Sequence, residues 1–181
     1  MTYTVGTIVG SIAQHSINRR FATALTGLAP ANLKFVDIDI ASLPFYSYDF
    51  DADYPDVALQ LKQSIADVDA LLYVTPEYNR SVPGVLKNAI DWASRPYGAG
   101  VLGKPSAIAG ISLGPIGTAL AQAHLRNILN FFNAPLYSQP ELYIQQTDTL
   151  YTGETTFNPG TQQFLQGWMD GFAAFVAKQV G

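Results

Sequence analysis

The chain has 181 residues, a formal net charge of -4 and no cysteine. The acidic balance argues against a nucleic-acid partner, and the absence of cysteine excludes disulfides, thiolate nucleophiles and Cys-ligated metals. Because 48% of the residues are apolar, the length predicts one globular domain, residues 1–181, with a substantial core.

The sequence shows no secretory signal and no apolar run long enough to span a bilayer. We therefore expect a cytoplasmic protein without a membrane partner. Low charge combined with ten Tyr and ten Phe residues leaves much apolar surface to cover, which predicts a homo-oligomer.

The first predicted strand, residues 5–10, leads into a polar loop, residues 11–18, and then into a helix from Arg19. Ser16 or Asn18 can cap that helix. Hydroxyls, an amide and free N–H groups at a helix start suit a phosphate, although the loop matches neither a Walker sequence nor a dinucleotide fingerprint. A phosphate site and an ordinary capped turn are equal alternatives on this evidence.

A second strand, residues 34–38, is followed by a long acidic and aromatic loop and by a helix at residues 57–66. Asp49, Asp51 and Asp53 in this loop lack the glycine and the distal glutamate of a calcium-binding loop. The pattern therefore predicts a solvated rim, and no metal site is expected anywhere in the chain.

The most informative segment begins with residues 70–74, an apolar run that predicts a strand buried on both faces. Residues 75–84 form the loop after it, and a helix at residues 85–92 follows, with Pro83 in its first turn. Open α/β sheets bind ligands at the carboxyl ends of their strands. We therefore expect this loop to contact a flat heterocycle, with the ring of Tyr78 beside it.

The second half of the chain repeats the pattern of strand, loop and helix. Its predicted elements are a strand at 104–111, a glycine-rich loop at 112–118, a helix at 119–132, a strand at 134–137 with a candidate extension at 141–144, a polar loop at 145–161 and a helix at 164–176.

Strands and helices alternate five times, which predicts an α/β fold with a parallel sheet covered by helices on both faces. Five strands in a chain of this length favour a flavodoxin-like three-layer sandwich with the strand order 2-1-3-4-5. In that order, loops 11–18 and 76–80 flank one crevice, and loop 113–118 lies alongside.

Two segments carry a resemblance to a known family. Residues 75–92 read Thr-Pro-Glu-Tyr-Asn-Arg-Ser-Val-Pro-Gly-Val-Leu-Lys-Asn-Ala-Ile-Asp-Trp, and residues 10–18 read Gly-Ser-Ile-Ala-Gln-His-Ser-Ile-Asn. These segments resemble the NADPH-dependent FMN reductase family, which includes quinone and chromate reductases and some azoreductases. The resemblance implies bound FMN, NADPH or NADH as co-substrate, and small-molecule electron acceptors (quinones, chromate, azo compounds or free flavin) reduced in a ping-pong mechanism. It also implies a homodimer or homotetramer.

The resemblance further implies which residues bind the cofactor. They are Ser11, Ser16 and Asn18 at the FMN phosphate with Ile17 beside them, Pro76, Glu77, Tyr78 and Asn79 along the ring and the ribityl chain, and Ser112, Gly114 and Gly117 on the opposite side. Since the family often carries arginine where this chain has Ala13, phosphate affinity would rest on hydroxyls, amides and Arg19. The flavin performs the redox chemistry, so no catalytic side chain is nominated.

Several alternatives stay open at this point. Arg80 could attract the pyrophosphate of NADPH or pair with a carboxylate across a subunit interface. Trp92 and Trp168 are expected to pack in the core or an interface, and Lys87 and Asp91 to form an i,i+4 ion pair. The main functional alternative is a flavodoxin-type electron carrier without nicotinamide activity, and a regulator that binds no flavin is a third.

Overall fold

The computed structural model describes residues 1–96 and 98–181, in which five strands alternate with five α-helices. The strands are β1 (Tyr3–Val9), β2 (Leu33–Asp37), β3 (Ala70–Val74), β4 (Ser106–Ser112) and β5 (Leu136–Gln145). The helices are α1 (Ile17–Thr26), α2 (Asp56–Ala66), α3 (Gly84–Ser94), α4 (Ala119–Phe131) and α5 (Pro159–Val180), and a 3-10 helix, Tyr48–Phe50, precedes α2.

All neighbouring strands pair in parallel, in the order β2-β1-β3-β4-β5. This confirms the order predicted for a flavodoxin-like fold. β1 and β3 are adjacent, with Val5 opposite Ala70 and Val9 opposite Val74. Because the chain leaves these two strands toward helices on opposite faces of the sheet, their loops separate at the carboxyl edge and leave a crevice.

The helices cover both faces of the sheet. On one face, Phe21 of α1 and Trp168 and Phe172 of α5 belong to one buried apolar cluster. On the other face, a second buried cluster contains Leu61 of α2, Leu86 of α3 and Leu125 of α4. No helix among the described residues is both long and apolar enough to cross a membrane.

Strand β3 lies at the centre of both clusters. Leu72 and Val74 point into the α1/α5 side, whereas Leu71 and Tyr73 point into the α2/α3/α4 side. All five residues of the strand are fully buried. A strand covered on both faces needs apolar side chains at every position, which explains why the run at 70–74 does not alternate with polar residues.

The two tryptophans pack in the core, as predicted. The indole N–H of Trp92 donates to the carbonyl oxygen of Pro44 at 2.7 Å, and that of Trp168 donates to the carbonyl oxygen of Pro140 at 2.9 Å. Tyr46 and Tyr54 contact the Trp92 ring edge-on. The acidic and aromatic loop before α2 is therefore anchored on α3 through Trp92.

Most predicted boundaries shift by a few residues, and three of the differences have a clear physical reason. β5 runs as one strand through Pro140, because a register shift opposite residues 107–109 places this proline in an irregular part of an edge strand, where a missing N–H is tolerated. α5 begins at Pro159, where a turn was predicted, because Asn158 caps the helix and proline suits its first position. α3 begins at Gly84, so that Pro83 is the N-cap residue and lies outside the first turn.

Gly110 of β4 lies where three elements meet. A Cβ atom built on it would lie 2.1 Å from Oγ1 of Thr118, at the start of α4, and 2.4 Å from the carbonyl oxygen of Thr75, after β3. Only a residue without a side chain permits this approach. Gly110 therefore sets how closely the ends of β3 and β4 and the start of α4 pack together.

We expect Gly110→Ala to lower the free energy of unfolding by about 2–3 kcal/mol, because the methyl group must displace main-chain atoms. Gly167→Ala is the matched control: Gly167 is an exposed residue inside α5 with no atom within 4 Å of a built Cβ. That variant should be more stable by about 0.5–1 kcal/mol, through helix propensity alone. Urea unfolding measures both, and equal stability of Gly110→Ala and the wild type would contradict the packing argument.

A second prediction concerns Tyr73, whose hydroxyl is buried and has no hydrogen-bond partner among the described residues. Burial among apolar side chains raises the pKa of Tyr73, so the group is neutral at ordinary pH. Leaving a polar group unpaired in a core costs about 1–3 kcal/mol. We therefore expect Tyr73→Phe to keep or raise the melting temperature, and a clear loss of stability would show that the hydroxyl has a partner.

Candidate functional site

The loops after β1, β3 and β4 leave the sheet side by side. The strand pairing continues past each strand end: the N–H of Gly10 donates to Val74 at 2.8 Å, and the N–H of Thr75 donates to Ala109 at 2.9 Å. A cavity of about 390 Å³ opens between the three loops. The predicted crevice at the carboxyl edge is therefore present.

The first loop brings the N-terminus of α1 to this cavity. Ser16 is the N-cap residue of α1, and its Oγ accepts the N–H of Arg19 at 3.2 Å. The first turn of the helix contains no acidic residue. Its free N–H groups and the positive end of the helix dipole therefore face the cavity beside the hydroxyls of Ser11 and Ser16, and this arrangement suits an anion.

Asn18 also lines the cavity, but its amide group joins α1 to β4. Nδ2 donates to the carbonyl oxygen of Ile111 at 2.9 Å, and Oδ1 accepts the N–H of Ile111 at 3.1 Å. The residue is 1% exposed. One N–H of the amide remains for a ligand, so Asn18 positions the helix first and can contact an anion second.

Neither arginine of α1 is directed to the cavity. The guanidinium of Arg19 pairs with the carboxylate of Asp37 on β2 at 3.0 Å. Arg20 donates to the carbonyl oxygens of Gly153 and Glu154 at 3.1 and 2.6 Å, and its guanidinium lies 3.9 Å from the centre of the Tyr151 ring. The anion site therefore offers hydroxyls, main-chain N–H groups and the remaining N–H of the Asn18 amide, and His15 also lines the cavity.

The loop after β3 forms the second wall through Pro76, Glu77 and Tyr78. Pro76 is buried, and its carbonyl oxygen accepts the hydroxyl of Thr75 at 2.8 Å. Tyr78 is 51% exposed at the cavity mouth. A molecule bound at the cavity mouth could therefore contact its ring.

Glu77 has a second role that the sequence did not reveal. Its carboxylate accepts the N–H groups of Leu120 and Ala121 at 3.0 and 3.1 Å. These are N–H groups of the first turn of α4, and the preceding residue Thr118 provides no side-chain cap of its own. A carboxylate at a helix N-terminus is favoured by the helix dipole, so Glu77 fixes the cavity wall to α4.

The same loop ends in a tight turn. Tyr78 and Ser81 exchange two main-chain hydrogen bonds, at 3.1 and 3.0 Å. Asn79 and Arg80 between them have φ values of +50° and +65°. The hydroxyl of Ser81 lies 2.9 Å from Nδ1 of His124 on α4. We call residues 78–81 the mouth turn.

The loop after β4 closes the cavity on the remaining side through Ser112 and Leu113. The hydroxyl of Ser112 donates to the carbonyl oxygen of Gly114 at 2.9 Å. Gly117 has a φ of +57°, and a Cβ on it would lie 2.4 Å from the main chain of Tyr143 on β5. Gly117 thus shapes the loop by packing on β5.

The structure brings together most of the residues that the sequence nominates. The cavity lining includes Ser11, Ser16, Ile17, Asn18, Pro76, Glu77, Tyr78 and Ser112, whereas Asn79, Gly114 and Gly117 lie outside it. Ile111, at the end of β4, was not nominated, because a buried apolar strand residue gives no signal of a ligand. The i,i+4 pair of Lys87 and Asp91 is confirmed, with 2.6 Å between Nζ and Oδ1.

Comparison with known proteins agrees with this geometry. The sequence profile of the family described as NADPH-dependent FMN reductase matches residues 3–149. The chain is 49% identical over 178 residues to a 2-hydroxy-1,4-benzoquinone reductase from Burkholderia sp, with 97% of each chain covered. It is 42% identical over 176 residues to a quinone reductase from Pseudomonas putida, with 96% of this chain and 95% of the relative covered.

A solved structure agrees equally well. The flavoenzyme NAD(P)H:(acceptor) oxidoreductase FerB from Paracoccus denitrificans superposes with a TM-score of 0.93 and 44% sequence identity, over 98% of each chain. Together, the strand order, the position of the cavity and these matches confirm the resemblance seen in the sequence: the chain belongs to the NADPH-dependent FMN reductase family.

Proposed function

We propose that this enzyme binds FMN in the three-loop cavity and transfers reducing equivalents from NADPH or NADH to a quinone. One observation carries this proposal. At the carboxyl edge of the sheet, the N-terminus of α1, which suits an anion, and the aromatic ring of Tyr78 line the same open cavity. The names of the similar reductases support the donor and the acceptor.

The phosphate end of the cavity has a donor set that fits FMN. Ser11 and Ser16 supply hydroxyls, and the first turn of α1 supplies N–H groups with the positive end of the helix dipole. Ile17 and Asn18 would contribute main-chain N–H groups, since the first residues of a helix have no partner within it. These donors would bind the phosphate without the arginine that the family often carries where this chain has Ala13.

The other end of the cavity fits a flat ring. Pro76 and Tyr78 form one wall, and Ser112 and Leu113 form the other, with polar main-chain groups at the edges of both loops. Its volume of about 390 Å³ lies within the range of roughly 300–1,000 Å³ that is usual for cofactor sites. Asn79, Gly114 and Gly117 lie outside the cavity lining, and their role would be to set the backbone shape of the two loops.

When bound, FMN supplies the hydride and electron-transfer chemistry. The side chains then need only to bind and orient the ring and to leave one face open. Glu77 is held by two N–H groups of α4, so its part is to fix the wall. No proton-transfer side chain is required, which agrees with a site built mainly from hydroxyls and main-chain groups.

We further propose a ping-pong order of substrates. Tyr78 and Leu113 are 51% and 72% exposed at the cavity mouth, and this opening would receive the nicotinamide and the acceptor in turn. An open apolar rim suits a flat aromatic molecule such as a quinone. The same opening could admit chromate, azo compounds or free flavin, which are the other candidate acceptors.

The chain's assembly and location are also proposals. We infer that residues 1–181 act as one FMN-binding domain of a cytoplasmic homodimer or homotetramer. Phe45 and Phe131 are 86% and 77% exposed, and a second copy of the chain would cover such apolar side chains in a homo-oligomer.

The first test uses the purified, FMN-loaded protein under anaerobic conditions. We expect NADH or NADPH to bleach the flavin absorbance and a quinone to restore it. Steady-state double-reciprocal plots should give parallel lines. If FMN binds and neither nicotinamide bleaches it, the electron-carrier alternative is correct, and intersecting lines would contradict the ping-pong order.

The second test separates helix capping from phosphate binding. Ser16→Ala removes the N-cap of α1 at the cavity, whereas Asn158→Ala removes the N-cap of α5, whose side chain accepts the N–H of Thr161 at 2.9 Å. In the FMN-free form, Ser16→Ala should lose about 1 kcal/mol of unfolding free energy. Asn158→Ala should lose somewhat more, since its Nδ2 also donates to the carbonyl oxygen of Thr149 at 2.8 Å. Only Ser16→Ala should also weaken FMN binding, by about tenfold, since it removes a hydrogen bond to a charged group.

Titration of the FMN-free proteins with FMN, followed by flavin fluorescence, measures this difference. Both variants lose a helix cap, so Asn158→Ala shows how much FMN affinity changes when stability is lost away from the cavity. Equal FMN affinity of Ser16→Ala and Asn158→Ala would place the phosphate away from the start of α1.

A further inference from the structure

The mouth turn places an arginine where glycine is usually found. Its two main-chain hydrogen bonds between Tyr78 and Ser81, and the positive φ values of both central residues, define a type I′ turn. Asparagine is common at the first central position, but the second strongly favours glycine. Arg80 occupies that second position with a φ of +65°, a conformation that is strained for a residue with a Cβ atom.

This conformation belongs to a well-anchored segment. Glu77 binds the first turn of α4 immediately before the mouth turn, and Ser81 contacts His124 of α4 at its end. These contacts fix both ends of the turn on one helix. The backbone position of Arg80 is therefore set by the fold.

The charge of Arg80 is not used within the part of the chain that the structure describes. Arg80 is exposed, and no hydrogen bond or ion pair to a described residue occupies its guanidinium. The arginines of α1, by contrast, are bound to Asp37 and to the carbonyl oxygens of residues 153 and 154. Arg80 is thus an unpaired cation two residues beyond the cavity wall at Tyr78.

We propose that Arg80 is a specificity-determining residue that binds the phosphate-bearing part of the nicotinamide co-substrate. The inference rests on the proposed function. A dinucleotide with its nicotinamide ring over the flavin at the cavity opening would place its phosphates outside the cavity, on the side where the mouth turn can reach them. Because the chain has a net charge of -4, a cation at this point offsets the repulsion of an anionic substrate.

Two phosphate groups have the same chemistry for a guanidinium: the pyrophosphate, which NADH and NADPH share, and the 2′-phosphate of NADPH. A planar fork of N–H donors can bind either of them in a bidentate manner. Comparison of NADH with NADPH therefore identifies which of these phosphate groups Arg80 binds.

The experiment compares three variants of the FMN-loaded enzyme. Arg80→Gly removes the charge and relieves the strained φ, and Arg80→Lys retains a charge. Lys178→Ala is the control for net charge, because it removes an exposed cation near the end of α5. Calorimetric titration with tetrahydro-NADH and tetrahydro-NADPH, which cannot donate hydride, measures binding without turnover.

We expect Arg80→Gly to raise the dissociation constant about fivefold at low salt and to abolish most of its dependence on ionic strength. Its melting temperature should equal or exceed that of the wild type, since glycine suits the turn. Arg80→Lys should retain most of the affinity, and Lys178→Ala should bind like the wild type. Equal losses for both analogues indicate the pyrophosphate, and a loss for tetrahydro-NADPH alone indicates the 2′-phosphate.

Wild-type affinity of Arg80→Gly for both analogues would overturn the proposal. A changed oligomeric mass of Arg80→Gly, with unchanged binding, would also overturn it and would assign the charge to a carboxylate of a second copy. Failure of both nicotinamides to bleach the wild-type flavin is a separate result, which removes the proposed function and this inference together.

Discussion

The pair of hydrogen bonds between the Asn18 side chain and the Ile111 main chain determines the geometry of the site. Both groups are buried, and they join the start of α1 to the end of β4 across 93 positions of sequence. Burying an amide without hydrogen-bond partners is unfavourable. The packing position of α1 is therefore the one in which the Asn18 amide can pair with the main chain of Ile111. This packing directs the helix N-terminus, with Ser16 as its cap, into the crevice between β1 and β3.

The opposite wall follows the same principle. Glu77 connects the loop after β3 to the first turn of α4, and Gly110 permits the close approach of β4 to Thr75 and Thr118. Each wall of the cavity is thus attached to a helix that packs on the sheet. The site loops are therefore rigid extensions of the core, which is the condition under which main-chain groups can orient a cofactor.

This construction suits an enzyme of the NADPH-dependent FMN reductase family. The cavity offers hydroxyls, N–H groups and apolar walls, and its carboxylate at Glu77 is engaged in structure. Such a site holds a reactive group more readily than it performs proton transfer itself. We propose that specificity for the second substrate depends on exposed residues around the opening, among which Arg80 combines an unusual backbone conformation with a guanidinium that no described residue pairs.

The sequence determined the features that depend on neighbours along the chain. Five alternations of strand and helix in a chain of this length predicted the sheet order, and the apolar run at 70–74 predicted the central strand. Ser16 was one of two predicted caps of α1, which begins two residues before the predicted start. Most of the cavity lining was also predictable, since parallel strands place their following loops at one edge.

Only the tertiary structure decided which groups those loops contact. The partner of Asn18, the attachment of Glu77 to α4 and the packing of Gly117 on β5 join residues that are distant in sequence. The continuity of β5 through Pro140 likewise depends on pairing with β4. Propensity and spacing reflect interactions over a few residues of sequence. These contacts depend instead on how the helices pack against the sheet, and a local sequence pattern does not contain that information.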